Sequence, residues 1–151
     1  MEKQQPTYKH FIITLFNLKI WKEDKTRRAT QTAEWLTQRF DLFERFCLPS
    51  VAHQTNRNFT WLCLFDKDTP AEMRQRIEGY RQQVPQLRPC FFSAEEAQEF
   101  LSHEEAVNCR FIRRTVKGLL SPDDEFVITS NLDNDDALSC DYVERVQHLF
   151  L

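Results

Sequence analysis

The sequence predicts an α/β protein built on a largely parallel sheet, and two observations carry that prediction. Four short apolar runs, Phe11–Phe16, Phe59–Phe65, Leu87–Phe92 and Phe126–Thr129, have strand length and alternate with segments whose apolar residues recur at helical spacing. The second run ends in Asp66 and Asp68, and the fourth in Asp133, Asp135 and Asp136. Open α/β sheets bind ligands outside the C-terminal ends of their strands, so acids at those ends are candidate site residues.

Taken in order, Phe11–Phe16 is uninterrupted by polar residues except Thr14, as expected of a strand covered on both faces. Asn17, Lys19 and Trp21 follow at its C-terminal end, and the charged stretch Lys22–Arg28 reads as an exposed loop. Between Ala33 and Val51, Leu36, Phe40, Phe43, Cys47 and Val51 mark one face of a helix, with Pro49 ending it or kinking its last turn. Asn56–Asn58 is a turn into the second strand. Thr69-Pro70-Ala71-Glu72 reads as a helix start, with Thr69 as N-cap and Glu72 closing a capping box; that helix runs to about Arg81. Pro89 makes the third strand an edge candidate. Ser93-Ala-Glu-Glu96 is a second capping box, opening a short helix to Leu101. A further helix is expected over Glu104–Lys117 with Gly118 just beyond it. Ser121–Asp124 turns the chain into the fourth strand, and apolar residues from Tyr142 to Phe150 begin a last helix.

Composition narrows the function. The 151 residues, 41% of them hydrophobic and 13 of them Phe, are enough for one packed core. A net charge of −3 gives no case for a nucleic-acid partner. The five cysteines are scattered without metal-ligand spacing and read as reduced thiols, consistent with a cytoplasmic protein. No apolar run approaches membrane-spanning length. Only Gly79 and Gly118 are glycines, so neither a GxGxxG turn nor a Walker loop exists. The four histidines do not group, and Trp21, Trp35 and Trp61 read as packing residues, Trp21 on the ligand side of the sheet.

The acids after the fourth strand are the main chemical signal. Clustered carboxylates offer hard oxygen ligands suited to Mg²⁺ or Mn²⁺, ions that keep several waters and take substrate phosphates as further ligands. The same residues are also ordinary turn and N-cap acids. Arg110, Arg113, Arg114 and Lys117 share one helix face. Arg114 is the candidate there for a diphosphate contact, against the alternative of a solvated charged stripe.

Three motifs occur in order: Phe11-Ile-Ile-Thr-Leu-Phe-Asn17, Phe65-Asp-Lys-Asp-Thr-Pro70 and Leu132-Asp-Asn-Asp-Asp136. Together they resemble the rhamnosyltransferase family, bacterial glycosyltransferases of the GT-A fold, and more distantly family 2 glycosyltransferases. The resemblance runs from about residue 8 to 151. It implies a Rossmann-like, mostly parallel sheet flanked by helices. It also implies transfer of a sugar, such as rhamnose, from a nucleotide-diphosphate donor to a hydroxyl of a glycan or other acceptor, with Mn²⁺ or Mg²⁺. Asp66 matches the acid that contacts base or ribose, and Phe16 and Asn17 match the strand end lining the nucleotide pocket. Asp133 and Asp135 match the DxD pair that holds metal and donor, with Asp136 as the adjacent acid. Leu15 stands where the family commonly has Arg. The family's acceptor-binding half has no counterpart, so residues 1–151 are expected to be the nucleotide-sugar-binding half of such a domain, truncated after the DxD strand and the following helix. The catalytic residue and any peripheral membrane contact would then lie in the missing half. Two other functions fit the residues: a Mg²⁺-dependent phosphotransfer or nuclease domain using clustered carboxylates, and a non-catalytic α/β module.

Overall fold

The computed structural model describes residues 5–102 and 109–150. Its centre is a sheet of four strands, β1 (Tyr8–Leu15), β2 (Thr60–Asp66), β3 (Leu87–Phe92) and β4 (Phe126–Asn131), in the order β3-β2-β1-β4. Every pairing is parallel. The helices are α1 (Ala33–Leu42), α2 (Leu48–Ala52), α3 (Ala71–Gln83), α4 (Ala94–Gln98), α5 (Arg110–Gly118) and α6 (Tyr142–His148). This is the Rossmann-like α/β arrangement expected from the alternation of strand and helix.

The alternation of side chains along each strand divides the interior into two layers. On one face, Ile12, Trp61, Cys63 and Phe65 pack against Phe40, Phe43 and Cys47, with Ile77 and Tyr80 of α3 and Val143 of α6. On the other, Phe11, Ile13, Leu62 and Leu64 pack against Ala97, Phe111, Ile112 and Val116 of α4 and α5. The central strands are therefore apolar throughout because both of their faces are covered. β3 pairs on one side only, the edge position that tolerates Pro89. β4 is the opposite edge and continues past Thr129 to Asn131, pairing with β1 up to Ile13.

Three local expectations are corrected. The helix expected from Ala33 to Val51 is interrupted by a π-helical turn, Phe43–Cys47, before α2 resumes. Pro49 has no N–H for the Arg45 carbonyl and its ring would crowd it, and the widened turn just ahead accommodates this. All five apolar positions of the predicted face nonetheless remain buried.

Thr69 does not cap α3, whose N-cap is Pro70 without a side-chain hydrogen bond. Its hydroxyl instead donates to the Asp66 carbonyl and accepts from Asn17 Nδ2. The Ser93–Glu96 capping box is present in full. The helix expected over Glu104–Lys117 begins, among the described residues, at Arg110; positions 104–108 lie outside them. Gly118 is its last helical residue rather than a left-handed one beyond it. The end is closed by the Leu119 N–H bonding the Val116 carbonyl at 2.9 Å, a tightened final turn that needs no positive φ. Among the described residues no helix is long and apolar enough to cross a membrane.

Candidate functional site

The chain adds β2 and β3 on one side of β1, then places β4 on the other. The direction of winding therefore reverses between β1 and β4, and the connections that leave the two strands diverge there to leave a crevice. A cleft of about 800 Å³ opens at that point. The ends of both strands line it through Phe16 on one side and Asp133, Asn134 and Asp135 on the other.

The loop after β4 is built so that acidic and amide side chains part company. Leu132 extends the ladder, its N–H reaching the Ile13 carbonyl at 3.0 Å. Asn134 turns inward, 6% exposed, and its Nδ2 donates to the Phe16 carbonyl at 3.0 Å. The Asp136 N–H closes a turn onto the Asp133 carbonyl at 3.1 Å. Asp133, Asp135 and Asp136 are left exposed, each offering a carboxylate oxygen within 4.8 Å of the others. Among the described residues the carboxylates of Asp133 and Asp136 accept no hydrogen bond, so neither acts as a cap or turn acceptor. Three clustered hard oxygens open to solvent are a donor set that suits Mg²⁺ or Mn²⁺. Their field reaches inward: burial raises the Cys47 thiol pKa, and the charges of Asp135, Asp136 and Asp133 raise it further.

Asp135 has one partner that sequence reasoning missed. Arg39 of α1 brings Nη1 to 2.9 Å from Asp135 Oδ2 and 3.4 Å from Asn134 Oδ1. Its guanidinium lies 5.7 Å from the centre of the Trp35 ring, and both residues line the cleft. The available signal was the i, i+4 spacing of Trp35 and Arg39 beside the Leu36/Phe40 stripe. Residues between Leu18 and Gln31 form the outer wall. Asp24 Oδ1 organises it by accepting from the Thr26 N–H, the Thr26 hydroxyl and the Arg28 N–H. Gln31, a wall residue, is held at φ 66°. Trp21 also lines the cleft, 55% exposed, with its ring edge-on to Phe100 at 5.7 Å.

The remaining predicted residues fall into three places. Phe16 lines the cleft, but its ring is clamped among Phe40, Phe43 and Phe65 at centroid distances of 4.6, 5.0 and 4.8 Å. Asn17 and Asp66 are buried at the ends of β1 and β2 and do not line the cleft. Asn17 Oδ1 accepts from the Asp66 N–H at 3.1 Å. Asp66 Oδ1 accepts from the Asp68 N–H at 2.8 Å and faces Lys19 Nζ at 3.3 Å, while Oδ2 is buried without a partner. Burial opposes the Lys19 charge, but Asp66 and Asp68 outweigh it and hold the ammonium pKa above its ordinary value. Arg114 does not line the cleft. It sits on α5, packed on the opposite face of the sheet from α1, with Nη2 3.0 Å from Glu96.

The comparisons with known proteins agree with this geometry at the level of family. No curated protein and no solved structure matches the chain. The sequence model of the family described as "Putative rhamnosyl transferase" matches residues 14–150, taking in the end of β1, β2 and the acidic loop after β4. The chain therefore belongs to the rhamnosyl transferase family of glycosyltransferases.

Proposed function

We propose that this chain binds the donor of a glycosyl transfer reaction, a nucleotide-diphosphate sugar, in the cleft between β1 and β4. The observation that carries the proposal is the exposed carboxylate trio at the C-terminal end of β4, opening on a cleft at the sheet's switch point. Membership of the rhamnosyl transferase family supplies the reaction class and makes rhamnose the first sugar to test.

Asp133 and Asp135 would hold Mn²⁺ or Mg²⁺, with Asp136 beside them. Bound there, the ion would neutralise charge on the departing diphosphate as a Lewis acid. The chain's own residues do the positioning. Asn134 fixes the acidic loop to the end of β1, so the carboxylates and the cleft floor keep one spacing. Phe16 supplies an apolar floor that excludes water, and residues between Leu18 and Gln31, Trp21 among them, wall the cleft on the solvent side. Asp66 Oδ2 is a buried acceptor with no donor of its own, outside the cleft lining, and a nucleotide N–H or ribose hydroxyl would reach it only if the end of β2 opened. The acceptor of the transferred sugar would be a glycan hydroxyl. A two-metal phosphotransfer site would need a second acid in the same cleft. Asp66, the other strand-end acid, does not line the cleft and is paired with Lys19, and the acids that do line it beyond the trio, Glu23 and Asp24, stand on the outer wall.

Calorimetric titration of nucleoside diphosphates in the presence and absence of Mn²⁺ tests the reading. Metal-dependent binding that is lost in Asp133→Asn and Asp135→Asn is the expected result. Binding indifferent to Mn²⁺, or unchanged in both variants, would overturn it.

A further inference from the structure

We infer that Arg39 is an exchangeable counter-ion: it neutralises Asp135 when no cation is bound and turns to the diphosphate when one arrives, coupling the two binding events. The inference rests on the donor-site reading above and names a residue that reading does not require.

The geometry argues it in three steps. Arg39 Nη1 already occupies Asp135 Oδ2 at 2.9 Å, and Asp135 is also one of the three carboxylates whose oxygens cluster within 4.8 Å. A guanidinium and a divalent cation drawn to the same carboxylate repel one another, so occupation of the trio by a cation weakens the Arg39 pair. Arg39 can then move while remaining in the cleft. Its backbone is anchored between Leu36 and Phe40, both buried, while its side chain is 26% exposed. A guanidinium suits a phosphate pair because its planar fork gives two parallel N–H donors. Beside it, the Trp35 indole N–H is buried with no acceptor, so a second donor at this wall stands unused. The cleft's other cationic residue, Lys25, belongs to the outer loop rather than to a helix.

The arrangement also accounts for why the trio is tolerable without metal. Three carboxylates this close repel one another, and Arg39 is the partner that offsets part of that repulsion. Removing Arg39 therefore has opposite effects on the two ligands: the cation loses a competitor, and the diphosphate loses a donor.

The test measures Mn²⁺ alone by the electron paramagnetic resonance signal of the free ion, then inorganic pyrophosphate by calorimetry at saturating Mn²⁺. Wild type, Arg39→Met and Arg39→Gln are compared, with thermal melts to establish that each variant is folded. The expected result is Mn²⁺ binding several-fold tighter in both Arg39 variants, together with a loss of about 5-fold or more in pyrophosphate affinity, within the usual range of coupling between two ligands. Pyrophosphate should tighten Mn²⁺ binding less in the variants than in wild type. Mn²⁺ affinity unchanged or weaker in folded variants, or pyrophosphate affinity undiminished, would overturn the role of Arg39 while leaving the donor site standing. If wild type binds no Mn²⁺ and Asp135→Asn behaves identically, the donor-site reading itself fails, and the exchange fails with it.

Discussion

Asn134 Nδ2 donates to the Phe16 carbonyl at 3.0 Å, a bond between two buried groups that joins the end of β4 to the end of β1 across the reversal of the sheet. It places the acidic loop relative to the cleft floor, with Asp133 and Asp135 pointing outward on either side of it. Replacing Asn134 by Ala leaves a buried carbonyl unpaired. That should cost about 1–3 kcal/mol of stability, read from urea denaturation. Mn²⁺ affinity should fall although no carboxylate has been touched. A variant as stable as wild type with intact Mn²⁺ binding would show that the bond positions nothing.

The carboxylates should behave differently. Asp133 and Asp135 are exposed, and Asp135 makes a half-solvated pair with Arg39, so Asp133→Asn or Asp135→Asn should change metal-free stability by less than about 1 kcal/mol. With Mn²⁺ at a hundred times its dissociation constant, wild type should gain about 2.7 kcal/mol by mass action, visible as a rise in melting temperature. Both variants should lose that rise. Equal rises in wild type and variants would place the ion elsewhere.

His10 gives a pH dependence unrelated to ligand. It is 2% exposed, with Nε2 2.9 Å from Ser130 Oγ and Nδ1 accepting from Gln147 Nε2 at 3.3 Å. The Gln147 Oε1 accepts from Tyr8 and Asn56, which fixes the amide so that its N–H faces the ring. Protonated His10 would set two donors against each other, and burial lowers its pKa to about 4. The native state thus resists a proton that the unfolded chain accepts near pH 6.5. Stability should be unaffected by this group above that pH, decline as pH falls towards 4, and level off below it, by roughly 3 kcal/mol in all. Urea midpoints against pH for wild type and His10→Gln should diverge over that window; parallel curves would refute the account.

What could be read in advance follows the range of the interactions involved. The strands at Phe11–Phe16 and Phe59–Phe65, the Leu36–Val51 face and the Ser93 capping box rest on local pattern, and all appear where expected. The acids after β4 are legible as a cluster because they are adjacent in sequence. Arg39 was not, because its partner lies 96 residues away and meets it only when β4 pairs beside β1. Thr69 misled for a related reason. Its local sequence suits a cap, but Asn17, from the end of β1, meets its hydroxyl. Asp66 and Asp133 look equivalent as acids at strand ends. Strand order separates them, since β2 lies on the far side of β1 from β4.

Phe16 separates a wall from a contact. Its ring is 3% exposed and held by Phe40, Phe43 and Phe65, so most of its surface faces protein rather than the cleft. Truncation to Ala should open a cavity and cost about 3–5 kcal/mol, enough to obscure any effect on binding. Phe16→Leu is the sharper variant. It retains apolar bulk, loses the edge and stacking contacts at about 0.5–1.5 kcal/mol per aromatic pair, and should lower the melting temperature by several degrees. Nucleoside diphosphate affinity, measured calorimetrically well below that temperature, should stay within about twofold, since 1.4 kcal/mol of lost contact would already be tenfold. A tenfold loss in a folded Phe16→Leu protein would mean that the ring touches the nucleotide itself, and the cleft floor would have to be redrawn with Phe16 turned out of its aromatic cluster.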